Sequence, residues 1–274
     1  MLRITFLLLV GFLSAQSFSI SDINNLVSKT KKYADEYESK YGKKKTYYEE
    51  KKEEYFPEEY KEDKNIKILK NNTLLKKKVF AKLKCDDTYG NQVVDTCYSF
   101  RKKGALAVAY TVDKKIVHAI NLKKRGKWHY NKNIPTYYRS SNSDYLRSGY
   151  DKGHCAFDSA FDVTQRVLNN TYDLNINAVP MAAMVNRKTW IQAEYFTKKV
   201  AVSLGKVDVI DIMVYDKHPK RIGKNRISVP RGFYKVLENK KAGFLECYYY
   251  ENDLNVKWKR DKLEDHLVNC SSIF

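Results

Sequence analysis

Apolar positions in this chain cluster into short runs with one long helical stretch among them. Leu106 to Thr111 and Ile116 to Leu122 predict strands, and Asp113-Lys114-Lys115 between them predicts a hairpin. Residues 186–204 predict a helix, with Trp190, Ile191, Phe196, Val200 and Leu204 as apolar contacts and Gly205 as the stop. Val207 to Tyr215, Ile227 to Val229, Phe233 to Leu237 and Phe244 to Tyr250 predict further strands. Strands on both sides of a helix predict an α+β domain, and no internal repeat is visible.

This globular pattern starts near residue 80. The chain opens differently: Arg3, then an apolar run from Ile4 to Leu13, then Ala15-Gln16-Ser17. That order predicts a cleaved signal peptide over residues 1–17. The run is too short to span a bilayer, which needs about 20 residues. The other reading is an uncleaved amphipathic anchor. The expected product is exported, periplasmic or secreted, with no stable membrane insertion. Residues 18–80 read as a Lys/Glu/Tyr-rich extension, either a solvated spacer or a charged helix, and 81–274 as the functional domain.

Charge sharpens the division. The 274 residues carry 51 Lys+Arg against 32 Asp+Glu, a net of +19. Residues 22–63 hold 10 lysines and 12 acids, whereas residues 64–274 hold 40 Lys+Arg and 20 acids. The basic excess therefore belongs to the later part and suits a polyanionic partner. With 43% hydrophobic residues the chain is neither wholly disordered nor a multi-pass membrane protein.

The five cysteines show no C-x-x-C spacing, which argues against a zinc cluster. An exported chain keeps disulfides. Nearness in sequence pairs Cys85 with Cys97 and Cys247 with Cys270, leaving Cys155 as a small buried residue. Asn71, Asn169 and Asn269 begin Asn-x-Ser/Thr sequons.

One segment concentrates chemistry. It runs Ser148-Gly149-Tyr150-Asp151-Lys152-Gly153-His154, then Ile176-Asn177-Ala178-Val179-Pro180, then Asn186-Arg187-Lys188-Thr189-Trp190, then Glu194. Phosphodiester cleavage needs a base, positive charge on the phosphoryl oxygens and help for the leaving oxygen. A neutral His accepts a proton near neutrality. An Asn carbonyl and a carboxylate are hard oxygen donors suited to Mg²⁺, which keeps several waters and needs few protein ligands. On a straight α-helix Asn186 and Glu194 are about 12 Å apart along the axis and about 80° around it. Both do not easily touch one ion at that separation; one arrangement that satisfies it has Asn186 touching the metal and Glu194 reaching it through a water.

These residues resemble the DNA/RNA non-specific endonuclease family, the ββα-metal nucleases with an Asp-Arg-Gly-His motif, endonuclease G among them. The nine-residue step from Asn177 to Asn186 and the eight-residue step to Glu194 fit that family. So do Arg139 and Asp144-Tyr145 upstream, and Ile222 to Asn225, Val229-Pro230 and Phe233 to Val236 downstream. The resemblance covers roughly residues 97–250. It implies His154 as general base, Asn186 as direct Mg²⁺ ligand (Mn²⁺ an alternative occupant), Glu194 as a ligand through water, and Asn177 as a support for site geometry. It also implies cleavage of DNA or RNA without strict preference.

Three positions depart from the family pattern. Its motif arginine is Lys152, an upstream arginine aligns with His129, and a third aligns with Lys198. Lysine keeps a point charge but loses bidentate phosphate geometry. Weaker transition-state stabilisation is the expectation.

Simpler roles stand beside these. Asn186 suits a helix cap, Glu194 and Lys198 suit a solvated i,i+4 pair, and Trp190 suits the core. His118, His218 and His266 have no marking context. No sequence-reading motif is present, so any nucleic-acid grip is through phosphates. Two functions remain: an exported Mg²⁺-dependent endonuclease, or a nucleic-acid-binding protein on the same scaffold with weakened catalysis.

Overall fold

The computed structural model describes residues 67–117 and 122–273. The expected signal peptide, the extension up to residue 66, residues 118–121 of the expected second strand, and His118 lie outside the described residues.

The first described element is α1 (Leu74–Leu83), capped by the Thr73 hydroxyl, which accepts from the Lys76 amide at 3.1 Å. Then come β1 (Asp87–Gly90), β2 (Asp95–Ser99) and β3 (Gly104–Asp113). The expected hairpin at 113–115 does not form. β3 runs on to Asp113 and leads into a helical turn, α2 (Lys114–Val117), fastened by the Lys115 amide to the Asp113 carboxylate. The Asp side chain caps a turn here instead of reversing a strand.

β6 (Lys206–Val214), β9 (Gly232–Asn239), β10 (Phe244–Glu251) and the short β11 (Leu267–Val268) complete a seven-stranded sheet. Its order is β1-β2-β3-β6-β9-β10-β11, and every adjacent pair is antiparallel. The runs at 207–215, 233–237 and 244–250 are thus strands as expected. The run at 227–229 is the second arm of a separate small hairpin, β7 (Arg221–Ile222) and β8 (Ile227–Ser228).

Strand alternation gives the sheet two different faces. Ala107, Ala109, Ile210, Ile212 and Val236 join Val79 of α1 in an apolar cluster that also contains Cys97 and Cys247. Both expected disulfides, Cys85–Cys97 and Cys247–Cys270, form at this face. Residues 74–80, assigned by sequence to the charged extension, therefore pack on the domain's sheet. The opposite face carries Tyr110, Asp211 and Lys235, and the helix α4 (Trp190–Leu204) lies there. Trp190, fully buried, meets Phe233 and Tyr250 edge-on. Its core placement is as expected. Gly205, with φ of 85°, ends α4.

A second pair of strands, β4 (Tyr150–His154) and β5 (Ala178–Ala182), runs antiparallel, with α3 (Gln165–Thr171) between them in sequence. β5 feeds α4 through a π-helical turn, Val185–Thr189. The helix expected at 186–204 is thus α-helical from Trp190 only. Asn71 is buried, and its Nδ2 donates to the Val209 carbonyl at 3.0 Å, so its sequon is closed in the folded chain. Among the described residues no helix is long and apolar enough to cross a membrane.

Candidate active site

β4 delivers His154 at its last position, directly opposite Ala178 of β5. The motif glycine before it is a packing requirement. A Cβ on Gly153 would lie 2.6 Å from the Met181 Cβ. The imidazole stacks on Trp128 at a centroid distance of 4.5 Å and meets Tyr172 edge-on at 4.8 Å. Its Nε2 is shielded from solvent and has no hydrogen-bond partner among the described residues. Burial pushes the His154 pKa down from 6.5 to about 4; nearby Asp158 opposes the shift and Arg125 adds to it. The ring is therefore neutral at pH 7.

Asn177 fixes the chain just after His154. Fully buried, its Oδ1 accepts from the Ala156 amide at 2.8 Å, and its Nδ2 donates to the carbonyls of Ala156 and Thr171 at 2.9 and 2.7 Å. The Cys155 amide donates to the Asn177 carbonyl at 3.0 Å. With these bonds made, the Asn177 amide is a clamp and has little left to offer a substrate. Cys155 is buried and free, and burial pushes its thiol well up, so it stays protonated.

Asn186 sits in the π-helical turn, which replaces the straight helix assumed from spacing. Its Nδ2 donates to Asp151 Oδ2 at 3.0 Å, so its Oδ1 is the atom left to act as a donor oxygen. Arg187 grips the same carboxylate with two bonds, at 2.7 and 2.8 Å. Asp151 thus orients Asn186, a role that its place in the motif did not reveal.

Glu194 lies one turn into α4, half-buried, and its carboxylate makes no hydrogen bond with a described residue. Burial pushes its pKa up to about 8; Lys235 and Lys198 oppose this, while Asp158 and Asp211 reinforce it. Lys198 is half-buried beside it, but at no ion-pair distance, and burial lowers its pKa. The solvated i,i+4 salt bridge is therefore not what forms. Lys152 donates to Asn142 Oδ1 at 3.0 Å and lies 5.7 Å from the Trp128 ring centroid.

His129 is not drawn in. It is exposed, with Nδ1 3.4 Å from the Lys127 carbonyl. Its neighbour Trp128 stacks on His154 instead. The guanidinium near His154 is Arg125, which is held by Asp158 and Asp162. Asp158 also accepts from the Tyr172 hydroxyl at 2.6 Å. Burial alone would raise the Asp158 pKa, but His154, Tyr172 and Arg125 outweigh it and hold the carboxylate below its ordinary range. Sequence reasoning missed Trp128, Tyr172, Arg125 and Asp158. Asp158 had one available signal, four residues beyond His154; nothing in the spacing links Arg125 to Tyr172.

Residues 71–260 match the family described as DNA/RNA non-specific endonuclease. The chain belongs to that family. Mitochondrial endonuclease G of Bos taurus is 28% identical over 158 residues, which cover 54% of this chain and 52% of that protein. The Homo sapiens protein matches to the same extent. The mitochondrial nuclease of Saccharomyces cerevisiae is 30% identical over 116 residues, 38% of this chain and 35% of that one. The chain spans about half the length of the endonuclease G relatives it matches. A chain in the crystal structure of the EndoG/EndoGI complex superposes with a TM-score of 0.62 at 23% identity, over 68% of this chain and 81% of that one.

The fold is accordingly the ββα-metal nuclease fold of this family. Among the described residues no group of three or more His, Cys, Asp and Glu could hold a metal ion. Of the expected ligands, Asn186 offers an oriented amide oxygen and Glu194 a carboxylate whose side chain has no hydrogen-bond partner among the described residues. This sparse oxygen set fits Mg²⁺, which keeps most of its waters, and fits no zinc site.

Proposed function

We propose that this protein is an exported, metal-dependent endonuclease, periplasmic or secreted, that hydrolyses phosphodiester bonds of DNA, RNA or both without strict sequence specificity. The observation that carries this reading is His154, held neutral between Trp128 and Tyr172 at the end of β4. In that state its ring takes the proton from an attacking water. Lys152 brings positive charge to the phosphoryl oxygens, and Lys198 adds to it from α4. Asn177 keeps the base in place through residues 155–156. Asn186 and Glu194 would hold Mg²⁺ or Mn²⁺, which when bound supplies positive charge to the phosphate and its leaving oxygen. The exposed His129 has no assigned step.

Arg125 is tied to two carboxylates and is not free to fork onto a phosphate. That favours, as a second reading, a nucleic-acid binder with weakened catalysis. Disulfide-intact protein incubated with supercoiled plasmid and with RNA, in Mg²⁺ or in EDTA, separates the two. Cleavage that needs both metal and His154 supports the enzyme. Salt-sensitive binding without cleavage at any metal or pH would sink it in favour of the binder.

A further inference from the structure

We propose that a cationic pocket beside the β7–β8 hairpin is a second phosphate site, gripping the nucleic-acid backbone away from the bond being cut. Arg101, Lys217, His218, Arg221 and Arg226 line it with Pro219, around a cavity of about 300 Å³. This inference rests on the reading that nucleic acid is the substrate.

Three loops build the pocket: the β2–β3 turn, residues 215–220 after β6, and the β7–β8 hairpin. They are fastened to one another. The Ser228 amide donates to the Lys102 carbonyl at 3.0 Å, and Arg221 donates to the Arg226 carbonyl at 3.0 Å and the Arg101 carbonyl at 3.4 Å. Arg101, Lys217 and Arg226 are exposed, and none forms an ion pair with a described residue. The nearby acid, Asp216, lies toward Arg231 at 3.6 Å. The half-buried Lys102 has its pKa lowered by burial, then by Arg101 and Arg221, against Asp216.

Four full charges crowded without a carboxylate in the lining attract an anion. Arginine forks match phosphate oxygens. No Phe, Tyr or Trp lines the cavity, so it offers a base no stacking platform, and the backbone is the part recognised.

The pocket is also joined to the candidate active site. A Cβ on Gly223 would lie 2.3 Å from the Asp144 Cα, and the Asn225 side chain donates to Ser141 and Asp144. Asn142, between those two residues, receives the Lys152 ammonium. Ile222 and Ile227 pack in one cluster with Tyr145 and Trp128. The hairpin is thus seated on the same support as Lys152 and the Trp128 that faces His154.

The test compares the His154→Ala protein with the same protein carrying Arg101→Gln, Lys217→Gln and Arg226→Gln. Binding of a short fluorescent DNA duplex and of single-stranded RNA is measured from about 50 to about 200 mM salt. The expected result is at least a tenfold rise in Kd. For duplex DNA the salt slope should also flatten by about 0.9 for each phosphate no longer neutralised. With His154 restored, kcat/KM is expected to fall much less on a dinucleotide than on long duplex DNA, since a dinucleotide carries little backbone beyond the bond being cut. Lys217→Glu, on a solvated side chain, should weaken binding on its own if the triple variant fails to fold. Equal affinities and slopes would overturn the site while leaving the nuclease reading intact. Nucleic acid failing to bind either protein would remove both. Calorimetric binding of inorganic phosphate that disappears in the triple variant, with nucleic-acid affinity unchanged, would assign the pocket to free phosphate and overturn the backbone proposal.

Discussion

The two faces of the seven-stranded sheet use burial for opposite ends. On the α1 face the buried groups are almost all apolar: Val79, Ala107, Ala109, Ile210, Ile212 and Val236, stapled by Cys85–Cys97 and Cys247–Cys270. On the α4 face burial encloses charge. Lys235 and Asp211, opposite each other on β9 and β6, pair at 2.8 Å with essentially no exposure. Lys235 also donates to the Tyr110 hydroxyl at 2.9 Å and lies 4.3 Å from the Trp190 ring centroid. Desolvation on this side displaces the pKa values of Asp211, Glu194, Lys198 and His154. One face supplies stability that is indifferent to chemistry. The other encloses titratable groups whose pKa values burial displaces.

The comparison breaks most sharply at His154. His154→Ala is expected to lower kcat by about 10²–10⁴-fold with its metal present, while thermal melting shows a folded protein; near-normal turnover would remove the base from His154. Lys235→Met should be the most destabilising change on the α4 face, by about 3–5 kcal/mol, because it leaves the Asp211 carboxylate buried and unpaired. Denaturant unfolding of Lys235→Met/Asp211→Leu should then recover most of that loss, and a double variant as unstable as the single one would refute the account. On the α1 face, replacing Cys85 and Cys97 by Ala should cost about 2–4 kcal/mol of stability and leave kcat unchanged. A fall in kcat of the folded protein would show that the two faces are coupled.

Acidity sharpens the contrast further. With the His154 pKa near 4 rather than 6.5, the acid limb of kcat/KM should fall well below the ordinary histidine range. Trp128→Ala should move that limb upward by admitting water to the ring. The sign for stability follows from proton counting. Between pH 6.5 and about 4 the unfolded chain holds the proton on His154 and the native one does not, so its contribution weakens as pH falls through that window. Denaturant unfolding of His154→Gln against the parent over that range should show this term vanish in the variant. The smallest effects belong to the arginine replacements. Lys152→Arg should raise turnover modestly by restoring a forked donor near the base. His129→Arg should leave it unchanged, because His129 points into solvent.

The candidate residues were legible as a pattern. His154, Asn186 and Glu194 stand in a fixed order with fixed gaps, and gaps survive as long as local structure does. Strands at 207–215, 233–237 and 244–250 showed because each has apolar side chains to bury. The hairpin at 113–115 misled because Lys114-Lys115 reads as a turn, whereas the Asp113 carboxylate starts a helical turn instead. β4 and β5 gave little pattern: β4 is polar and glycine-bearing, and β5 is buried throughout its length. The angle between Asn186 and Glu194 could not be read because a π-helical turn leaves no signature in spacing.

By itself the sequence determined the ordered pattern of His154, Asn177, Asn186 and Glu194 and the basic excess of the later part, and it suggested the nearest-neighbour pairing of four cysteines. Those depend on residue identity and short separations along the chain. Only the tertiary structure decided that Trp128 rather than His129 faces His154, that Asp151 aims Asn186, and that Lys235 is buried against Asp211. Each is a meeting of residues from separate strands and loops, with energetics set by how much water is excluded there. That exclusion is a property of the packed sheet and helix and belongs to no single residue.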